Sequence, residues 1–246
     1  MRVLIFIFGL LVGSFLNCFV YRLNQEGNLK KFLKGRSYCP KCHQTLRWFD
    51  NIPLLSFCLL KGRCHFCHSP ISIQYPLVEL FAGVFSLLAW ELSGKMMTIN
   101  FLFNLFLIYT LVAIFLSDFQ YRTIPDQITY PAIIVVLFFI LLNKDYLNIL
   151  VGLISASFFL CLFLITKQKG IGFGDVKLAG LMGLVLGFPQ IIIAFYLAFL
   201  TGAGLGVILV LTKKKKLKSE ISFGPFLAGA TFFAIFWGEK IWQTLF

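Results

Sequence analysis

Asp118 and Asp175 are the two residues of this chain with the most chemical potential. Each sits at the edge of a long apolar run, one in Phe115-Leu116-Ser117-Asp118, the other in Gly172-Phe173-Gly174-Asp175. A carboxylate at a membrane boundary is costly to place and marks function. Two of them on one side of one membrane can share a proton and activate a water, which is aspartic-protease chemistry. The ionised member takes the proton of the attacking water, and the protonated member polarises the scissile carbonyl and stabilises the oxyanion. Asp118 closes its predicted helix, at the end where the helix dipole disfavours an acid. Asp175 follows two glycines, which let the backbone approach another chain closely or adopt positive φ. The Gly170–Gly174 run lacks the preceding strand and βαβ unit that a nucleotide loop requires.

A second constellation is Cys39-Pro-Lys-Cys42 and Cys64-His-Phe-Cys67. Two Cys-x-x-Cys pairs at this separation read as the two knuckles of a tetrahedral zinc site. Four thiolates leave no open coordination position, so the predicted metal is structural. His43, His65 and His68 stand beside these cysteines; any of them could replace a sulfur as ligand, and otherwise they read as supporting or exposed residues. Cys58 reads as a buried apolar thiol, and Cys18 and Cys161 as packing residues within spans.

The chain has ten acidic residues. Besides Asp118 and Asp175, Glu79 and Asp126 fall near predicted helix boundaries on the same side. Both have structural readings. Asp126 follows Ile124-Pro125 and suits a helix start. Glu79 opens a span, where an acid suits the positive end of the dipole.

These residues need elements to hold them. Of the 246 residues, 59% are hydrophobic and 13% charged, well outside the roughly 45–50% and 25% of soluble domains. The expected fold is an all-α polytopic membrane protein embedded in a lipid bilayer. About eight transmembrane helices are expected, over 3–21, 77–92, 99–117, 128–142, 148–166, 176–188, 191–211 and 221–238. The short runs 128–142 and 176–188 border the two aspartates. The first run lacks a small-residue cleavage site and leads straight into Tyr21-Arg22, so it reads as a retained span. Residues 24–76 form the one long polar insertion, too small and polar for a good core of its own. Placing it in the cytosol puts every basic residue but Arg2, Lys95, Lys144 and Lys240 on the cytosolic side. Asp118 and Asp175 then face the cytosol too, and disulfides between the cysteines are disfavoured there. Lys213 to Lys216 read as a topology anchor beside anionic lipid, with no nucleic-acid partner.

At this point the motifs match a family. The chain resembles the type IV prepilin peptidases, bacterial intramembrane aspartic proteases that process pilins and the pseudopilins of type II secretion and competence. The resemblance rests on Gly13-Ser-Phe-Leu-Asn17 and Tyr21-Arg22-Leu23. It extends through the two cysteine pairs, Asp50-Asn-Ile-Pro-Leu-Leu-Ser56 and Tyr75-Pro-Leu-Val-Glu-Leu80. Asp118 with Ile124-Pro125-Asp126, Gly172-Phe-Gly-Asp175-Val-Lys177 and Phe223-Gly-Pro-Phe-Leu-Ala228 complete it. It implies catalysis by Asp118 and Asp175, with Gly172, Gly174, Asp126, Lys177, Glu79, Gly224 and Pro225 as support. It divides the chain into a first transmembrane helix (1–23), a cytosolic four-cysteine zinc-binding domain (24–76) and a transmembrane aspartic protease domain (77–246). It implies cleavage of a short basic leader after Gly on the cytosolic side of the bacterial cytoplasmic membrane. Many members also methylate the new N-terminus with S-adenosylmethionine, an activity linked to the cytosolic domain. All four cysteines are present here, but no cofactor-binding motif is recognisable.

Three rival readings compete. An ion-coupled transporter would use the acids as ion ligands, but they cluster at one face and no interrupted helices occupy matching halves. A scaffold subunit would not need them. A signal-peptide-peptidase-like enzyme shares Gly-x-Gly-Asp but places Tyr before its first aspartate, where this chain has Ser117.

Overall fold

The structure is a computed structural model that describes residues 1–26, 37–167, 171–212 and 222–245. Lys30, Lys31, Lys34, Arg36, Lys169, Lys213 to Lys216, Lys218, Gly170 and Glu220 lie outside the described residues.

All eight apolar runs form helices, because uncharged Leu-, Ile- and Phe-rich stretches can satisfy their backbone only internally in lipid. These are α1 (Arg2–Glu26), α3 (Gln74–Leu92), α4 (Ile99–Tyr121), α5 (Asp126–Asn143), α6 (Leu147–Ile165), α7 (Phe173–Leu186), α8 (Gln190–Leu211) and α9 (Gly224–Leu245). A short α2 (Leu55–Leu59) and a 3-10 turn (Trp48–Asn51) lie in the polar insertion. Six helices, α1, α3, α4, α5, α6 and α8, are long and apolar enough to cross a membrane. The chain is an all-helical polytopic membrane protein, with six such helices among the described residues against the expected eight. α7 has 14 residues and so rises only ~21 Å, against a hydrocarbon core of ~30 Å. α9 carries Glu239 and Lys240 towards its end.

The chain divides into two compact units, Met1–Ala113 and Ile114–Phe246. In the first, α1 packs along α3. Gly9 and Gly13 make this possible: a methyl on Gly13 would meet the Glu79 backbone at 2.8 Å and the Ala82 side chain at 2.9 Å. Small residues let membrane helices approach closely.

In the second unit α7 is central, in contact with α5, α6, α8 and α9. It is buried nearly all round, through Val176, Leu178, Ala179, Leu181, Met182 and Leu184, as a helix apolar on every face must be. Its closest neighbour is α6, where Gly183 meets Gly152 so tightly that an added methyl would lie 2.7 Å from the Gly152 Cα. The outward faces of α1, α5, α6 and α8 expose large apolar side chains such as Phe15, Phe138, Leu153 and Ile192, the surface a bilayer covers.

Candidate active site

The second unit gathers three helix ends around two carboxylates. Asp118 lies in the last turn of α4 and Asp175 in the first turn of α7. They are 4% and 8% exposed, and their charges interact through space. The third end is the start of α9, where Gly224 opens the helix and Pro225 follows in the first turn, where no backbone N–H is required.

Each carboxylate has its own donors. Asp175 Oδ2 accepts the Gly172 N–H at 3.0 Å, so the acid also closes the first turn of α7 as a cap. Asp118 Oδ2 accepts the Ser222 hydroxyl, and the Gly224 N–H also donates to this carboxylate. Ser222 carried no signal in the sequence: it is a lone serine just before Phe-Gly-Pro. Phe223 is fixed by an aromatic cluster, with ring centroids 5.1 Å from Phe199 and 6.3 Å from the fully buried Phe159. That packing sets where α9 begins and brings its first N–H groups to Asp118.

The glycines act through close approach. A methyl on Gly224 would overlap the Asp118 carboxylate, and one on Gly174 would press on Ile124 at 3.0 Å. Gly172 has room for a methyl, its nearest neighbour lying at 3.6 Å. The alternative expectation of positive φ at Gly172 or Gly174 does not hold, and Gly172 has φ −82°.

Asp126 is the first residue of α5 and pairs with Lys177 of α7. The Lys177 ammonium also lies 5.5 Å from the centroids of both Tyr130 and Phe173, so this cation is held by a carboxylate and two rings. The pair joins the starts of α5 and α7 beside Asp175. Of the residues expected to support the pair, Glu79 lies outside this unit. It sits in the second turn of α3 rather than at its opening, and its Oε2 accepts the Leu54 N–H at 2.9 Å.

The first unit holds the cysteine site. The four Sγ atoms of Cys39, Cys42, Cys64 and Cys67 lie within 4.8 Å of one another. The Cys39 and Cys67 sulfurs are 3.9 Å apart, and a tetrahedral zinc with bonds of ~2.3 Å needs S···S distances of about 3.8 Å. The residues fit zinc. The two knuckles are built alike: His43 N–H bonds the Cys39 carbonyl at 2.9 Å and His68 N–H the Cys64 carbonyl at 3.1 Å. His43 and His68 take φ of 55° and 53°. They are the turn residues that close each knuckle, a conformation histidine adopts more readily than most side chains. Cys67 is pulled down to about 6 by the Ser69 hydroxyl and backbone N–H, which readies its thiolate for a metal. Cys58, expected to be buried, is exposed on α2, because this short helix buries none of its residues.

The fold and site define a polytopic helical membrane protein with a buried aspartate pair at converging helix ends and a four-cysteine cluster whose spacing suits a metal ion. Sequence profiles for the bacterial peptidase A24 N-terminal domain and for the type IV leader peptidase family match residues 7–92 and 105–207. The chain belongs to the type IV leader peptidase family. It is 34% identical to a prepilin leader peptidase/N-methyltransferase of Aeromonas hydrophila, over 97% of this chain and 91% of that protein. Proteins of the same name from Legionella pneumophila and Pseudomonas aeruginosa are 33% and 32% identical, over 98% and 96% of this chain and 93% and 90% of theirs. No solved structure matches the chain significantly.

Proposed function

We propose that this chain is a membrane-embedded aspartic endopeptidase that removes the short basic leader of prepilins or pseudopilins after a glycine and then methylates the new N-terminus. The carrying observation is the burial of Asp118 and Asp175 together, from helices far apart in sequence. The names of the relatives support the substrate class and both activities. Against the transporter reading, the family is one of peptidases and the acids lie at helix ends.

The chemistry divides between the two acids. Asp118 receives a hydroxyl and a backbone N–H, donors that suit an ionised carboxylate, so Asp118 is the base and Asp175 carries the shared proton. A water between them gives a proton to Asp118 as its oxygen bonds the carbonyl carbon after the leader glycine. Asp175 donates to the carbonyl oxygen, and the tetrahedral centre collapses with a proton passed to the leaving amine. The scissile bond must leave its helix to be attacked.

Zinc held by Cys39, Cys42, Cys64 and Cys67 would fix the insertion, with no coordination position left for catalysis. S-adenosylmethionine, when bound, would supply an electrophilic methyl on its sulfonium to the new N-terminal amine, with the thioether as leaving group. We place domain 24–76 and both aspartates on the cytosolic side of the bacterial inner membrane, a reading supported by the distribution of lysine and arginine in the sequence.

The test is co-expression with a candidate prepilin and mass spectrometry of the product N-terminus. Loss of the leader after Gly, abolished by Asp118→Asn and by Asp175→Asn while the protein still inserts, is the expected outcome. Cleavage that survives both substitutions overturns the assignment of the pair.

A further inference from the structure

We propose that a cavity in the first unit, walled by α1, α3 and both cysteine knuckles, binds S-adenosylmethionine as the methyl donor; the inference rests on the methyl-transfer reading above. The cavity has a volume of about 750 Å³, within the ~300–1,000 Å³ of typical small-molecule sites. Its walls are largely apolar, with Phe15, Tyr21 and Tyr38 among the rings that line it. Two of its charged residues are buried and of opposite sign: Glu79, 7% exposed, and Arg22, 8% exposed.

This combination matches the donor part by part. The amino-acid head of S-adenosylmethionine carries an ammonium and a carboxylate, which Glu79 and Arg22 complement. Glu79 is held in place by the Leu54 N–H at 2.9 Å and by the Ser14 hydroxyl. An ionised carboxylate accepts about four hydrogen bonds, so capacity remains for an ammonium. The half-buried Asp50, locked by its bond to the Arg47 N–H at 3.0 Å, adds a second acid on the wall, suited to the sulfonium. The tyrosine and phenylalanine rings suit the flat adenine. A lipid tail would use neither buried charge.

The metal cradle is part of the same wall. Cys39 and Cys64, the two buried sulfurs of the four, both line the cavity. A zinc site that leaves no open coordination position thereby gains a function, since it shapes the donor pocket. This links the cysteines to methylation without a chemical role for the metal.

The experiment uses the full-length protein in detergent with its zinc content measured. Equilibrium dialysis with radiolabelled S-adenosylmethionine reads binding directly, and ultraviolet cross-linking followed by peptide mapping reads where it binds. Label on the peptides around Tyr21 and Tyr38, with affinity reduced about tenfold or more in Arg22→Gln and Glu79→Gln, is expected. Stripping zinc from the unmutated protein should abolish binding and restoring it should recover binding, an arm independent of whether the variants fold. Label confined to residues 114–246, or binding indifferent to zinc and to both substitutions, overturns the cavity assignment even if the product N-terminus is methylated. A co-purified phospholipid in the cavity that the donor does not displace overturns it in favour of lipid. A product that is cleaved but never methylated, with no donor bound, overturns the methyl-transfer reading itself.

Discussion

At the scale of single residues, the contact between Asp118 and Gly224 is the most exacting in the protein. The carboxylate occupies the space where any Cβ at 224 would stand. Gly224→Ala therefore displaces either the Asp118 carboxylate or the start of α9, and if Asp118 acts as proposed, a misplacement of ~1 Å costs on the order of 10²-fold in rate. Gly229, one and a half turns along the same helix, has nothing within 4 Å of its added methyl. Gly229→Ala should leave cleavage unchanged and raise helix stability by up to about 1 kcal/mol. A cleavage assay on both variants checks this; equal activity in the two would mean the Gly224 contact is not what aims Asp118. The aspartates themselves could be found in the sequence because an acid at the edge of an uncharged run is expensive and stands out. Their donors could not. Ser222 is an ordinary residue type, and Gly224 reveals its reason only when the end of a helix 106 residues earlier is seen against it.

At the scale of elements, each apolar run did correspond to a helix, yet the beginnings of the helices shifted where function sits. The apolar run near Asp175 starts at Val176, whereas α7 starts at Phe173. The glycines and the acid fall outside the span expected from hydropathy, but the acid bonds the Gly172 N–H and so belongs to the first turn. The bond between Lys177 and Asp126 shows a similar effect, since it fixes the start of α7 to that of α5. Asp126 is 56% exposed along its side chain and Lys177 only 14%. Solvent screens the ion pair, so a double-mutant cycle of Asp126→Asn with Lys177→Met should give a coupling of at most about 1 kcal/mol. Lys177→Met alone should cost more than Asp126→Asn alone, because it also removes the cation from Tyr130 and Phe173. Unfolding in mixed micelles measures both. A larger loss from Asp126→Asn would show that the carboxylate, and not the rings, holds the lysine.

At the scale of the whole molecule, the cysteine spacing already contained the metal cradle, because a Cys-x-x-Cys turn is a local structure that needs no partner to be recognised. What spacing does not contain is the environment of each sulfur, and that environment differs across the four. Cys67 has a thiol pulled down to about 6 by its hydrogen bonding with the Ser69 side chain and backbone. Cys42 is drawn down by the Gln44 N–H but driven up further by desolvation and by the neighbouring Cys67 and Cys39 sulfurs, to about 11. At pH 7 the metal-free protein therefore presents Cys67 mainly as thiolate and Cys42 almost wholly as thiol. The lower basicity of the Cys67 thiolate offsets part of that advantage, since nucleophilicity falls with pKa at a slope of ~0.4–0.5, but leaves Cys67 faster by roughly tenfold or more. Iodoacetamide at pH 7 should alkylate zinc-stripped protein at Cys67 well before Cys42, while zinc protects all four and leaves exposed Cys58 reactive throughout. Carried out with a membrane-impermeant maleimide, the same labelling reads the orientation of the chain. Cys58 should react in inverted vesicles and stay silent in intact spheroplasts. Reaction from the outside of spheroplasts would reverse the topology inferred from the basic residues and remove both aspartates from the side where a leader could be cut.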